Sequence, residues 1–380
     1  MEITFININT SQLNQKGAYP KNLDPVTIFE RIKHVQHNNK SITVLHDFFI
    51  DRIIKINNLD EFFVYLKEKI KFGGGSVRGI PTTQLEGGNA VNIAYFLGKL
   101  GFNVNLFTIT DDNSNMVLKN FFQNLPNVKL HLSYGKPGYT TSLEVHNDID
   151  SSDSNIMISD VGDNLDFGPE RLISSDNKEI LNNSAAVILV NWASNLKGTE
   201  LLKYVFKNSS KALHFVDPAD IQTRSKDFCA LLKDHNNLID ILSVNENECN
   251  SLLYELNLQN LILNKKYGEE NIKLAVKELA NNLRVFIDLH TRYGSACSNG
   301  KEVFFAETLK NIIVKNLTGA GDSWDAADII GHIIALHPQQ RLFFSNAFAS
   351  LYISSDDRKL MSLEKFFGYY CKLYNEEKKK

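Results

Sequence analysis

Asn316-Leu317-Thr318-Gly319-Ala320-Gly321-Asp322-Ser323 is the stretch around which the rest of the chain is organised. The apolar run Asn311-Ile312-Ile313-Val314 before it reads as a strand. After it, Ala326, Ala327, Ile330, Ile333 and Ile334 fall on helical spacing, and Pro338 marks a stop. The glycines are therefore expected at a strand-to-helix turn. There the first N–H groups of the helix lack partners and the dipole is positive, so the turn can hold an anion. Gly319 and Gly321 carry no side chains to keep a phosphate away from the backbone. Asp322 would repel that anion unless its task is to face a hydroxyl and take its proton. Asp and Ser also suit an ordinary helix cap, so both readings stand on these residues alone.

The chain has 380 residues, 43% hydrophobic and 22% charged, enough for a large buried core. A net charge of −3 gives no electrostatic reason for a nucleic-acid or membrane partner. Cys229, Cys249, Cys297 and Cys371 show no CxxC spacing and read as thiols in a reducing compartment. No apolar run is long enough for a membrane span, and the N-terminus has no signal-peptide pattern, so the expected location is the cytoplasm. There is no Gly-x-x-x-x-Gly-Lys-Ser/Thr and no early Gly-x-Gly-x-x-Gly, which weakens P-loop and dinucleotide-oxidoreductase readings.

Residues 1–40 are polar and Asn-rich, with a weakly helical stretch near Phe29–Val35. Ser41–Leu45 reads as a buried strand running into His46-Asp47-Phe48-Phe49-Ile50-Asp51. Asp47 and Asp51 could bracket a polyol through hydroxyl hydrogen bonds, or be loop charges. Residues 52–85 alternate and then turn Gly-rich at Gly73-Gly74-Gly75-Ser76-Val77-Arg78, either a phosphate-binding nest or a flexible turn. Glu86-Gly87-Gly88-Asn89-Ala90-Val91-Asn92 opens a helix that closes at Leu100-Gly101. Thr140–Val145 and Asn155–Ser159 read as a hairpin. Ala186–Val190, Leu213–Asp217, Asp240–Val244 and Leu283–Ile287 read as strands. Asn245 and Glu248 follow one of them, at a spacing that fits a capping box. His290 reads as a packed loop histidine. Strands alternating with helical stretches imply an α/β fold with a mostly parallel, doubly covered sheet.

Thr318-Gly319-Ala320-Gly321-Asp322 resembles the C-terminal signature of the ribokinase-like (PfkB-type) carbohydrate kinases. Gly87-Gly88, Asn92 and Leu100-Gly101 resemble the N-terminal signature of that family, and Asn245-x-x-Glu248 its metal and phosphate motif. The resemblance implies a ribokinase-like three-layer α/β/α sandwich with a mostly parallel central sheet and a small β-sheet lid. It places the kinase domain at 41–360, with lid strands from 52–85 and 138–160. Residues 1–40 are then an unassigned extension, and 361–380 a C-terminal helix and basic tail. It implies Asp322 as catalytic base, with Gly319, Ala320 and Gly321 as the anion hole. Asp51, Asp47, Gly87, Gly88 and Asn92 would bind the acceptor, a small sugar, sugar phosphate or nucleoside. Asn245, Thr318, Gly294 and Asn346 would meet the nucleotide, and Glu248 would reach Mg2+ through water. ATP is the implied donor, ADP stays open, and the lid offers a route to a homodimer. Asp111 stands where the family pattern expects glycine, and only Gly294 of a Gly-x-x-Gly turn is present beside Thr291. Those departures motivate a second reading, a catalytically silent binding protein on the same fold.

Overall fold

A computed structural model describes residues 23–38, 40–147, 152–264, 266–310, 312–355 and 361–377. The tail Lys378–Lys380, residues 1–22, Asn311 and the tip of the 138–160 hairpin lie outside them.

Nine strands form the main sheet in the order β13-β12-β11-β10-β9-β8-β1-β4-β5. They are β1 (Ile42–His46), β4 (Val104–Thr110), β5 (Val128–Tyr134), β8 (Ala186–Val190), β9 (Leu213–Asp217), β10 (Ile241–Asn245), β11 (Phe286–His290), β12 (Gly294–Ser298) and β13 (Val303–Glu307). All neighbours from β5 to β11 pair in parallel, and β12 and β13 add an antiparallel edge. Every residue of β1 is buried, as a strand covered on both faces must be. Ile42 and Val44 point into one apolar layer and Leu45 into the other.

The first layer holds α1 (Pro25–His37), α3 (Asn89–Lys99), α4 (Asp112–Phe122), α10 (Ala320–Ile333), α11 (Pro338–Ile353) and α12 (Leu363–Glu377). The second holds α5 (Ser175–Asn183), α6 (Gly198–Lys207), α7 (Ser225–His235), α8 (Glu246–Glu255) and α9 (Glu269–Leu283). The helical signal near Phe29–Val35 becomes α1, capped by Asp24 and started by Pro25. Its Ile28, Phe29 and Ile32 join the main core, and the Phe29 ring lies 4.3 Å from that of Phe367.

A second, four-stranded sheet stands over the carboxyl ends of the first, in the order β3-β2-β6-β7. It comprises β2 (Phe49–Ile56), β3 (Thr82–Gly87), β6 (Gly138–Asn147) and β7 (Ser152–Asp160). The alternation read over 52–85 is interrupted by a helix, α2 (Leu59–Lys71), which Asn58 caps. Leu59, Phe62, Phe63, Leu66 and Ile70 have helical spacing, and that period prevails there. Gly73 and Gly74 close this helix by donating their N–H groups to Ile70 and Lys69 carbonyls.

The strand expected before the central turn does not form. Ile312–Leu317 is an irregular connector, with Ile313 74% exposed. The hairpin β12–β13 ends at the sheet edge, and the chain must travel back across the strand ends to reach α10. Its backbone bonds go instead to the end of α11, from Lys315 and Asn316 N–H to the Ile353 carbonyl at 2.7 and 3.1 Å.

Candidate active site

The strand ends, the first turn of α10 and the inner face of the small sheet enclose a cleft of about 570 Å³. Gly319 caps α10 in the left-handed region, φ 86°. A Cβ at Gly319 would also come within 2.9 Å of the Tyr352 hydroxyl, which donates to the Thr318 carbonyl at 2.5 Å. Thus glycine is required there by conformation and by space. Ala320 N–H bonds the Leu317 carbonyl and Ser323 N–H the Gly319 carbonyl. Among the described residues, no backbone acceptor takes the N–H of Gly321 or Asp322. The cleft therefore meets two unpartnered donors at the positive end of a 14-residue helix.

The Asp322 carboxylate lies on the same wall, 6% exposed. Asn89 Nδ2 donates to one oxygen at 2.9 Å and Asn92 Nδ2 to the other at 2.7 Å. Burial pushes its pKa well above the usual carboxylate range. The Asn92 bond opposes that rise, and the charges of Asp217 and Asp47 add to it. Raised proton affinity in a cleft is what a general base for a hydroxyl requires.

Asn89 and Asn92 are three apart in the first turn of α3, so they share a face. Asp47 seats that turn. Its oxygens accept from Asn89 N at 3.0 Å, Ala90 N at 2.8 Å and Asn191 Nδ2 at 2.9 Å. Asp47 lines the cleft, yet both its oxygens are engaged in holding α3, which makes it first a positioning residue. Asp51, on β2, faces the same cleft as Asn92 and Asp322. Gly87 leaves room for it, because a Cβ there would fall 1.9 Å from Asp51 Oδ2. Gly88 lines the cleft beside Asn89.

The floor is acidic. Asp217 at the end of β9 and Asp325, one turn beyond Asp322, are buried together, and Ser243 Oγ donates to Asp325 at 2.6 Å. Burial, and then the Asp217 charge, hold the Asp325 pKa well above the usual carboxylate range. Asn245 and Glu248 form the capping box of α8, in which Asn245 N and Nδ2 donate to Glu248 at 2.8 and 2.7 Å. Glu248 still lines the cleft, and burial, then Asp217, raise its pKa well above the ordinary value.

Other residues fall elsewhere. Among the described residues, Gly294 and Asn346 are not on the cleft wall. Gly294 is small because a Cβ would meet Phe305 at 2.4 Å. Asn346 accepts from Trp324 Nε1 at 2.8 Å and donates to the carbonyls of Ala306 and Glu307. Gly73–Gly75 and Arg78 also lie off the cleft, and two of those glycines spend their N–H groups on α2. His46 packs on Phe167, and burial lowers its pKa. Asp111 is the N-cap of α4, closing a capping box with Ser114. Thr291 closes the tight turn to Gly294, its Oγ1 donating to the Gly294 carbonyl at 2.7 Å. Both departures thus have local structural reasons. Asn89, Asn191 and Asp325 were not singled out from sequence, and Asp217 only as the end of a strand running into a turn. The Asn89 signal was present, three residues before Asn92, and Asp325 is an acid set on an otherwise apolar helix face.

A family model described as pfkB family carbohydrate kinase matches residues 55–362. No curated protein sequence matches the chain. Among solved structures, an adenosine kinase from Sinorhizobium meliloti is 16% identical with a TM-score of 0.65, covering 86% of this chain and 97% of its own. A ribokinase from Thermotoga maritima is 17% identical with a TM-score of 0.64, covering 87% and 98%. A ribokinase from Arabidopsis thaliana, complexed with ribose and ATP, is 20% identical with a TM-score of 0.62, covering 87% and 98%. At such identities the likeness is one of fold.

Proposed function

The chain belongs to the pfkB family of carbohydrate kinases, and from that premise we propose that it transfers the γ-phosphoryl group of ATP to a hydroxyl of a small sugar, sugar phosphate or nucleoside. One observation carries the reading: the buried Asp322 carboxylate shares a cleft wall with the two unpartnered N–H groups that open α10. Asp51 and the first turn of α3 hold the acceptor. Asp322 takes the hydroxyl proton as that oxygen forms its bond to phosphorus, and the bond to the β-phosphate oxygen breaks with release of ADP. The Gly321 and Asp322 N–H groups stabilise charge on the moving phosphoryl group, so the work is mostly positioning and electrostatics.

Magnesium fits the donors present. Asp217, Asp220 and Glu248 bring carboxylate oxygens to the cleft and Asn245 an amide oxygen, the oxygen donors a hard cation prefers. Glu248, through water, and Asn245 would hold it; when bound it neutralises charge on the β- and γ-phosphates.

The test is a thermal-shift screen of sugars, sugar phosphates and nucleosides with the β,γ-imido analogue of ATP, followed by acceptor-dependent ADP formation from ATP. Ligands that bind the folded state raise its midpoint with concentration. An acceptor that raises the midpoint and is turned over is the expected result. Nucleotide and acceptor binding without turnover would leave a binding protein instead.

A further inference from the structure

His290 ends β11, beside Asn245 at the end of β10, with which it is in register. It is one of the cleft-lining side chains. Its imidazole lies against the first turn of α10, since a Cβ on Gly321 would stand 3.4 Å from His290 Cε1 and 4.0 Å from Nε2. Gly321 carries one of the two unpartnered N–H groups of that turn.

The ring is held from behind. His290 stacks on the Trp324 indole, with centroids 5.0 Å apart and planes at 32°. Trp324 donates its indole N–H to Asn346 Oδ1 at 2.8 Å, and the Asn346 amide is tied to β13 through the Ala306 and Glu307 carbonyls. A polar chain running from β13 through Asn346 and Trp324 thus fixes the plane of an imidazole beside the anion site. The imidazole has a ring N–H that it can present to an anion in the cleft.

We infer that His290 is a phosphate ligand, a side-chain donor that joins the Gly321 and Asp322 N–H groups around the terminal phosphoryl group of the nucleotide. Trp324 and Asn346 are its positioning residues. This rests on the kinase reading above and adds to it a residue whose side chain discriminates a nucleoside triphosphate from a diphosphate.

The experiment is calorimetric titration of the full chain, in magnesium, with the β,γ-imido analogue of ATP and separately with ADP. His290→Phe keeps a ring to stack on Trp324 but has no N–H, whereas His290→Gln keeps a donor. The Phe variant is expected to lose roughly tenfold in affinity for the ATP analogue while ADP affinity stays within about twofold, the scale of one hydrogen bond to an anion. The Gln variant should recover part of the loss. Should the Phe variant fail to fold, as read from its thermal midpoint, Gln and Asn variants at 290 carry the same comparison, the Asn amide being too short to reach. Unchanged affinity for the ATP analogue, or equal losses for both nucleotides, would overturn the assignment. If the unaltered protein binds neither nucleotide, the kinase reading itself fails, and this inference with it.

Discussion

Asp322 meets the cleft with two groups that its neighbours treat differently. Among the described residues no backbone acceptor takes its N–H, while its carboxylate is clamped by Asn89 and Asn92. Asp322→Asn keeps size and backbone but cannot take a proton. The kinase reading expects nucleotide and acceptor to bind while kcat falls by roughly 10²-fold or more, the scale of a lost general base. A helix-cap role would leave kcat nearly unchanged, because Asn caps as well as Asp. The pH profile follows from the raised pKa of Asp322. The base acts when ionised, so kcat/KM should climb with pH and reach half its plateau above about 4, the ordinary aspartate value. A half-rise at or below that value would count against burial as the controlling influence. Asp322 could be read from sequence because a glycine turn followed by a carboxylate is a local pattern. The Asp47 role was hidden, since a side chain that caps a helix 42 residues away leaves no spacing to recognise.

At the scale of elements, α8 and α10 each join structure and chemistry in their first turn. Asn245 and Glu248 cap α8 and also face the cleft. Glu248→Gln can keep the capping-box bond from Asn245 N to its remaining amide oxygen, while giving up the bond from Asn245 Nδ2. It should raise the magnesium concentration needed for half-maximal turnover more than it changes the KM of the acceptor. Equal magnesium curves for both proteins would exclude the metal role. Farther along α10, Asp328 and His332 meet Asp288 of β11 and Arg341 of α11 in a buried network. Burial pushes the Asp288 pKa up, but Arg341 and His332 outweigh it and bring it to about 2. That value lies below the unfolded one, so the Asp288 contribution is present above about pH 4 and is lost as pH falls toward 2. Arg341→Met leaves two buried carboxylates without their cation and should cost about 3–5 kcal/mol in denaturant unfolding near neutral pH. Adding Asp288→Asn and Asp328→Asn should restore much of it; no restoration would show that Arg341 acts by packing alone. The sequence made α10 legible as a helix through its apolar spacing. It did not disclose this network, whose members come from three elements, nor the connector at 312–317, where strand-like residues find no edge to pair with.

At the scale of the whole molecule, the mostly parallel, doubly covered sheet was legible, because alternation of strand and helix implies it. The small sheet was legible only in part. Its hairpin was readable as alternation, whereas α2 within it needed the longer helical period to be weighed against the shorter one. Main sheet and small sheet are joined directly by two short links, Asp47-Phe48 between β1 and β2 and residues 135–137 between β5 and β6, and the first link bears on the cleft. Asn164 grips Phe48 there, donating to its carbonyl at 2.9 Å, and Asp47 seats the turn of α3 that clamps Asp322. The joint is therefore an interlock. On the kinase reading, a swing of the upper sheet about the Asp47-Phe48 joint would pull on Asp47, and through it on the two amides that aim Asp322, and an acceptor held between Asp51 and Asp322 would set the joint where water is too small to do so. Idle consumption of ATP should accordingly be slow beside transfer to an acceptor. Inserting one glycine after Phe48 would put slack in the mechanism, and the measured ratio of transfer to idle hydrolysis should fall; a ratio that survives the insertion would show the two motions to be independent.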